Sequence, residues 1–143
     1  MDIRPLSDTY SVSPQITPED AAAIAAAGYR MVICNRPDAE NPPEQQMAAV
    51  REAVEGAGMT FVANPFTGPT MGMDNVGAQG EAVAQADGPV LAYCASGNRS
   101  SIMWALSQAG SQSTDSMIAA AGKYGYQLEG LREQIDRMAA GKT

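Results

Sequence analysis

Histidine is absent from this sequence of 143 residues, and cysteine occurs only twice, at Cys34 and Cys94. Without histidine, neither a Ser-His-Asp triad nor a Cys-His pair can form, and a transition-metal site lacks its commonest ligand. Two cysteines in a chain of this length are too few for the disulfide framework of a small secreted domain. These absences predict a site that uses neither a metal nor an organic cofactor.

Charged residues and long apolar runs are also scarce. Charged residues make up 17% of the chain, and the net charge is −7, which argues against a nucleic-acid partner. No stretch approaches the length of a membrane span, about 18 apolar residues, and the start Met1–Pro5 lacks the basic and apolar regions of a signal peptide. We therefore expect a soluble, cytoplasmic protein without a membrane partner, in which local positive potential holds any anionic substrate.

What the sequence does contain is an alternation of short apolar strands with helical patterns. The apolar fraction of 45% can form one buried core, and the length fits a single domain over residues 1–143. The alternation predicts an α/β fold with a central, mostly parallel sheet of four or five strands flanked by helices. Predicted strands lie at 3–6, 10–12, 29–34, 60–63 and 90–93. Predicted helices begin near 17, 41, 75, 114 and 127, and one more follows the last strand and its loop, with Ile102, Leu106 and Ala109 on one face.

The last predicted strand runs into a loop that has the features of an anion-binding turn. It reads Cys94, Ala95, Ser96, Gly97, Asn98, Arg99 and Ser100, and a helix follows. Successive backbone N–H groups between a strand and a helix N-terminus can form a nest for an anion. Gly97 permits the positive φ that so tight a turn requires, and Arg99 offers a planar fork to an oxyanion.

Cys94 is the predicted nucleophile of this loop. A helix N-terminus and a neighbouring guanidinium stabilise a thiolate, and Ser100 can add a hydrogen bond to it. A nucleophile inside an oxyanion cradle suits covalent transfer from an anionic donor, so Cys94 and Arg99 are the predicted catalytic residues. The alternative is that Cys94 is a small buried hydrophobic residue at a strand end.

The Cys94 loop resembles the active loop of single-domain rhodaneses, Cys-Arg-x-Gly-x-Arg, and the Cys-x5-Arg loop of protein tyrosine phosphatases. The chain as a whole is most similar to the phosphatase-like domain of beta-lactamase hydrolase-like proteins, a family also described as sulfurtransferases. Four segments carry this resemblance: Ser11–Ile16, Val32–Asp38, Pro65–Gly68 and Cys94–Ala109. The resemblance implies a tyrosine-phosphatase-like fold and cysteine-dependent chemistry.

Departures from the phosphatase pattern favour sulfur over phosphorus as the transferred group. Four residues separate Cys94 from Arg99, as in rhodaneses, and Tyr93 stands where phosphatases place a histidine. Pro65–Gly68 stands where they place a general-acid aspartate. Phosphate-ester cleavage gains about 10²–10⁴-fold from such an acid, whereas the sulfite expelled from thiosulfate needs little help. We therefore predict a sulfurtransferase that carries sulfur as a Cys94 persulfide and passes it to a thiol acceptor.

Two other functions remain open at this stage. One is a phosphatase that forms a phosphocysteine on Cys94. The other is a non-catalytic anion-binding or redox-sensing module that uses a Cys34–Cys94 disulfide as its switch. The predicted partner is a small anionic substrate, either a sulfane-sulfur donor or a phosphate ester. Ala95 stands where rhodaneses commonly have arginine, so a low-molecular-weight persulfide is an alternative to thiosulfate as donor.

Four further residues are predicted to support the site. Cys34, at another strand end, is either a resolving cysteine or a buried strand residue. Arg36 and Asp38 follow it, and an Asp38–Arg99 ion pair is one way to orient the arginine. Asp74 is either a substitute acid that swings in from the loop at 64–74 or the N-cap of the next helix. That loop is either a lid over the site or an ordinary crossover.

Overall fold

The computed structural model describes residues 1–141, and its centre is one five-stranded sheet. The strands are β1 (Arg4–Pro5), β2 (Tyr10–Ser13), β3 (Met31–Cys34), β4 (Thr60–Ala63) and β5 (Val90–Tyr93). Their order in the sheet is β1-β2-β5-β3-β4, and every neighbouring pair except β1 and β2 is parallel. This confirms the predicted α/β fold with a mostly parallel sheet.

Within residues 1–141, six α-helices flank the sheet. They are α1 (Ala21–Ala26), α2 (Met47–Gly56), α3 (Met73–Gln85), α4 (Asn98–Ser107), α5 (Thr114–Gly122) and α6 (Arg132–Gly141), with short 3-10 turns at 18–20, 38–40, 43–45 and 129–131. None of the helices among residues 1–141 is both long enough and apolar enough to cross a membrane.

Several helices begin at other residues than the sequence predicts. Helices α1 and α6 start at Ala21 and Arg132, because a 3-10 turn precedes each of them. Helix α2 starts at Met47 and not near Asn41, because Pro42 and Pro43 disfavour helical backbone in the residues before them and two 3-10 turns form there instead. Helix α3 starts at Met73 with Gly72 as its N-cap, so the expectation that Asp74 caps this helix is wrong. The Asn75 side chain accepts the Gly72 N–H and closes the first turn.

The two faces of the sheet bury separate apolar clusters, as alternation along its central strand requires. On β5, Leu91 and Tyr93 pack in the cluster covered by α1 and α2, while Ala92 packs in the cluster covered by α3 to α6. Trp104 of α4 is fully buried in the second cluster and stacks on Tyr10, with 6.1 Å between ring centroids.

The carboxyl end of β5 lies between the carboxyl ends of its two parallel neighbours. Tyr93 is in register with Ser13 of β2 on one side and with Cys34 of β3 on the other. The residues that follow these strands therefore meet at one edge of the sheet, which is where ligands bind in open parallel sheets. Cys94 is the residue that leaves β5 at this edge.

Candidate active site

The turn that carries Cys94 is tight and depends on one glycine. The Cys94 side chain is buried, and the Gly97 N–H lies 3.1 Å from its Sγ and donates to it. Gly97 has φ +95° and is the N-cap of α4, which confirms the predicted positive φ. A Cβ at this position would overlap the Tyr126 hydroxyl, so glycine is required by both conformation and space.

The turn also holds backbone N–H groups that the folded chain leaves without acceptors. Among the described residues, nothing accepts a hydrogen bond from the N–H groups of Ala95, Ser96, Arg99 and Ser100. The Asn98 N–H is already used by the Ser96 hydroxyl at 3.2 Å. Unpaired N–H groups in the first turn of a helix are a ready donor set for an anion. The loop that follows Cys94 therefore offers the unpaired donors that an anion-binding cradle needs, and the cradle itself stays a prediction.

Arg99 is held in one orientation by two acceptors. Its Nη1 and Nη2 donate to the two carboxylate oxygens of Glu40 at 3.0 and 2.7 Å, and Nη1 also donates to the Phe66 carbonyl at 3.0 Å. Such a bidentate pair fixes the plane of the guanidinium. The Glu40 pairing raises the pKa of Arg99, and the same contact lowers the pKa of Glu40.

The expected Asp38–Arg99 pair is wrong, and Glu40 takes that role. The Asp38 carboxylate accepts the Met47 N–H at 2.8 Å and so caps α2. Asp38 and Glu40 belong to the same 3-10 turn at 38–40, but their carboxylates bond different partners, Met47 and Arg99. Arg36 supports the pair by donating to Glu40 at 3.2 Å. The sequence contains one indication of this partner, because a second carboxylate lies two residues beyond Asp38.

Cys34 lies at the same sheet edge as a buried thiol. It donates to the Arg36 carbonyl at 3.2 Å, and burial raises its pKa, which keeps it protonated and weakly nucleophilic. The neighbouring Tyr93 hydroxyl is buried and has no hydrogen-bond partner of good geometry among residues 1–141. Cys34 and Cys94 are both free thiols, so a disulfide between them stays a prediction.

The segment between β4 and α3 contacts the site through its backbone. Phe66 supplies the carbonyl that accepts from Arg99, and Asn75 donates to Asn64 at 2.8 Å, which ties the two ends of the segment together. Asp74 is exposed in the first turn of α3. No cluster of three or more histidine, cysteine or acidic residues suited to a metal occurs in the described part of the chain.

Ser100 and the residues behind it form an arrangement that the sequence does not reveal. The Ser100 hydroxyl was expected to donate to the Cys94 thiolate, but it donates to Asn35 Oδ1 at 2.9 Å. Asn35 in turn bonds Gln79 of α3. These contacts join the residue that follows β3 to residues of α3 and α4, so no local pattern in the sequence indicates them.

A comparison with known families identifies the relationship. Residues 2–111 match the family described as "Beta-lactamase hydrolase-like protein, phosphatase-like domain". The chain belongs to this family. Beta-lactamase hydrolase-like proteins of Agrobacterium fabrum and Xylella fastidiosa are 29% identical over 104 residues and 28% identical over 141 residues. These alignments cover 73% and 97% of this chain but only 24% and 33% of the relatives, so the chain spans about a quarter to a third of their length.

Solved structures place the phosphatase-like domain among tyrosine-phosphatase folds. A candidate phosphatase from Neisseria meningitidis is 35% identical, with a TM-score of 0.81, over 96% of this chain and 99% of that one. PTPMT1 in complex with PI(5)P has a TM-score of 0.77 at 16% identity, over 99% of both chains. P. aeruginosa TpbA in complex with pTyr has a TM-score of 0.63 at 16% identity, over 97% of this chain and 80% of that one.

These similarities confirm the predicted tyrosine-phosphatase-like fold. They also support a phosphatase-like domain better than the sulfurtransferase that the spacing of Cys94 and Arg99 predicted. The shorter loop is thus compatible with this fold.

Proposed function

We propose that this domain hydrolyses phosphate monoesters through a phosphocysteine on Cys94. The observation that carries the proposal is the set of unpaired N–H groups at Ala95, Ser96, Arg99 and Ser100, in the loop that follows the buried Cys94 thiol. A phosphoryl group has three non-bridging oxygens, and these donors together with the Arg99 guanidinium suit them. The family and the Neisseria structure support the same chemistry.

The reaction has two steps. In the first, the Cys94 thiolate attacks phosphorus, an S–P bond forms, and the ester P–O bond breaks as the alcohol leaves with a proton. In the second, water attacks phosphorus, the S–P bond breaks, and inorganic phosphate and the thiolate are released. Arg99 and the loop N–H groups stabilise the charge that builds on the equatorial oxygens in both steps.

The step with the least support from the site is the donation of a proton to the leaving alcohol. Within the segment 64–75, Asp74 is the one carboxylic acid, and its side chain is exposed in the first turn of α3. We assign it as the proton donor, which requires the segment to bring it over the Cys94 loop. Aryl phosphates, whose leaving groups need little protonation, are accordingly the substrates expected to react fastest.

Persulfide transfer is the second candidate function, and it is favoured because it does not need a proton donor for a leaving alcohol. No acid stands at Pro65–Gly68, and four residues separate Cys94 from Arg99 as in rhodanese loops. In that reaction Cys94 takes a sulfane sulfur from an anionic donor, which leaves as sulfite or a thiol, and a thiol acceptor then removes the sulfur. An anion-binding or redox-sensing module without turnover is the remaining alternative.

One pair of assays separates these functions. Purified protein is incubated with an aryl phosphate, and in parallel with thiosulfate or glutathione persulfide, and the adduct on Cys94 is identified by mass spectrometry after rapid acid quenching. We expect phosphate release, a phosphoryl adduct on Cys94, and loss of both in the Cys94→Ser variant. The matched control is Cys34→Ser, which changes the other thiol and should retain turnover.

Sulfur transfer without phosphate release would overturn the proposal in favour of the second candidate. Release of phosphate that survives Cys94→Ser would overturn the site itself. If neither substrate turns over and mild peroxide links Cys34 to Cys94, the redox-sensing alternative replaces both enzymes.

A further inference from the structure

A buried network of amide side chains lies behind the Cys94 loop, and Gln79 is at its centre. Gln79 is the fully buried polar residue of α3. Its Oε1 accepts from Asn35 at 2.9 Å and from Asn64 at 2.8 Å. Its Nε2 donates to the Tyr10 hydroxyl at 2.9 Å and to Asn35 Oδ1 at 3.2 Å. Every donor and acceptor position of this amide is therefore used.

The direction of the network is set by two backbone carbonyls. Asn35 Nδ2 donates to the Asn64 carbonyl at 3.0 Å, and Asn64 Nδ2 donates to the Asn75 carbonyl at 2.9 Å. Carbonyl oxygens can only accept, so neither asparagine amide can turn over without placing two acceptors face to face. Gln79, bonded to both NH₂ groups, is fixed by them in turn. This orientation leaves Asn35 Oδ1 as an acceptor, so the Ser100 hydroxyl must donate to it.

The network reaches both parts of the site. On one side, Asn35 accepts from the Ser100 hydroxyl, and Tyr10 donates to the Ser100 carbonyl at 2.9 Å, so the first turn of α4 is held at two points. On the other side, Asn64 lies two residues before Phe66, whose carbonyl accepts from Arg99. The loop with the N–H donors and the segment that orients the guanidinium therefore share one anchor.

We propose that Gln79 is a positioning residue that holds the Cys94 loop and the segment 64–75, which contains Phe66, in a fixed position relative to each other. The loop N–H groups and Arg99 can then act on the same anion. The expected effect of Gln79 on kcat rests on the proposed function. Gln79 itself touches neither Cys94 nor Arg99 by a hydrogen bond and acts through Asn35, Tyr10 and Asn64. Misplaced donors weaken transition-state stabilisation more than substrate binding.

The test uses two variants of Gln79 and two controls. Gln79→Met keeps the length of the side chain and removes all four hydrogen bonds, while Gln79→Glu keeps the acceptors and removes the donors. Val76→Ala loosens the packing of the same helix without touching the network, since Val76 belongs to the apolar cluster. Gln85→Met makes the same chemical change as the first variant at an exposed position of α3.

We expect Gln79→Met to lower kcat for an aryl phosphate by about tenfold or more with a smaller change in KM, and both controls to stay within about twofold of wild type. A protonated carboxyl group at this position can donate one hydrogen bond, so the Gln79→Glu variant should recover activity relative to wild type as the pH falls. Tyr10 is the titratable side chain in contact with this position, and burial raises its pKa, so it stays neutral throughout.

A second readout does not depend on turnover. Alkylation of Cys94 by iodoacetamide is followed by mass spectrometry, and inorganic phosphate should slow it in wild type but much less in the Gln79 variants. Equal loss of kcat in Val76→Ala and Gln79→Met at matched free energies of unfolding would overturn the proposal, as would undiminished protection of Cys94 by phosphate in the Gln79 variants.

If Gln79→Met does not fold, the pH profile of Gln79→Glu decides whether the proposal stands. If wild type lacks phosphatase activity, the proposed function fails while the protection assay still tests Gln79.

Discussion

At the scale of single residues, the chemistry of this site depends on how Arg99 is held. Glu40 meets the guanidinium with both carboxylate oxygens, and Arg36 donates to the same carboxylate. One acidic side chain thus organises two of the chain's 9 basic residues beside a loop that must bind an anion against a net charge of −7. A fixed fork is pre-organised, so little side-chain entropy is lost when substrate arrives.

We predict that Glu40→Gln lowers kcat/KM by about 10- to 100-fold, because a guanidinium that has lost its bidentate partner is misplaced relative to the loop N–H groups. The matched control is Glu44→Gln, an exposed acid four residues along the chain, which should leave kcat/KM unchanged. If both substitutions lower kcat/KM equally, the loss of a negative charge explains the decrease and the bidentate contact to Arg99 does not.

The same variant should show a defined pH dependence of stability. Arg99 lowers the pKa of Glu40 below its usual 4.5, so the pairing stabilises the fold above that pH and the contribution disappears as the pH falls through the lowered value. Because a third of the Glu40 side chain is exposed, the effect at neutral pH is at most about 1 kcal/mol. Urea titrations of wild type and Glu40→Gln at several pH values should converge at acid pH.

At the scale of elements, proline-containing turns and side-chain caps decide where the helices begin. Asp38 caps α2 from nine residues upstream, because the chain between them folds into two 3-10 turns that bring its carboxylate to the Met47 N–H. Sequence periodicity predicts that α2 exists but starts it near Asn41 and not at Met47, and it cannot find a cap at such a distance. The same limit explains why Asp38 and not Glu40 was expected to pair with Arg99.

We predict that Asp38→Ala lowers the free energy of unfolding by about 1 kcal/mol, the usual cost of a lost N-cap. Asp38→Asn keeps the Oδ1 acceptor and should be close to wild type. Urea denaturation followed by circular dichroism gives both values. If Asp38→Asn is as destabilised as Asp38→Ala, the stabilisation comes from the carboxylate charge and not from the capping hydrogen bond.

At the scale of the whole molecule, one sheet separates two apolar clusters and carries the active-site loop on its central strand. Side chains of β5 enter both clusters, with Leu91 on the α1 and α2 side and Ala92 on the other. Trp104, the one tryptophan of the sequence, reports on the second cluster alone. The two clusters should therefore unfold together, since neither can lose β5 without exposing the other.

We predict that Leu91→Ala destabilises the protein by about 2–5 kcal/mol, as expected when a fully buried leucine is truncated. Although Leu91 lies across the sheet from Trp104, the fluorescence of Trp104 should report the full shift of the urea midpoint and coincide with the far-ultraviolet circular dichroism. Separate transitions by the two probes would mean that the clusters unfold independently.

The local features of this protein follow from its sequence. Alternating strands and helices predict the parallel sheet, and Gly97 between an apolar strand and a helix predicts the turn at Cys94, because these depend on neighbouring residues alone. The partners of that turn were decided only by the tertiary structure. Glu40 lies 59 residues from Arg99, and Gln79 lies 44 residues from Asn35. Contacts over such distances depend on how the strands are ordered in the sheet, which no local pattern in the sequence specifies.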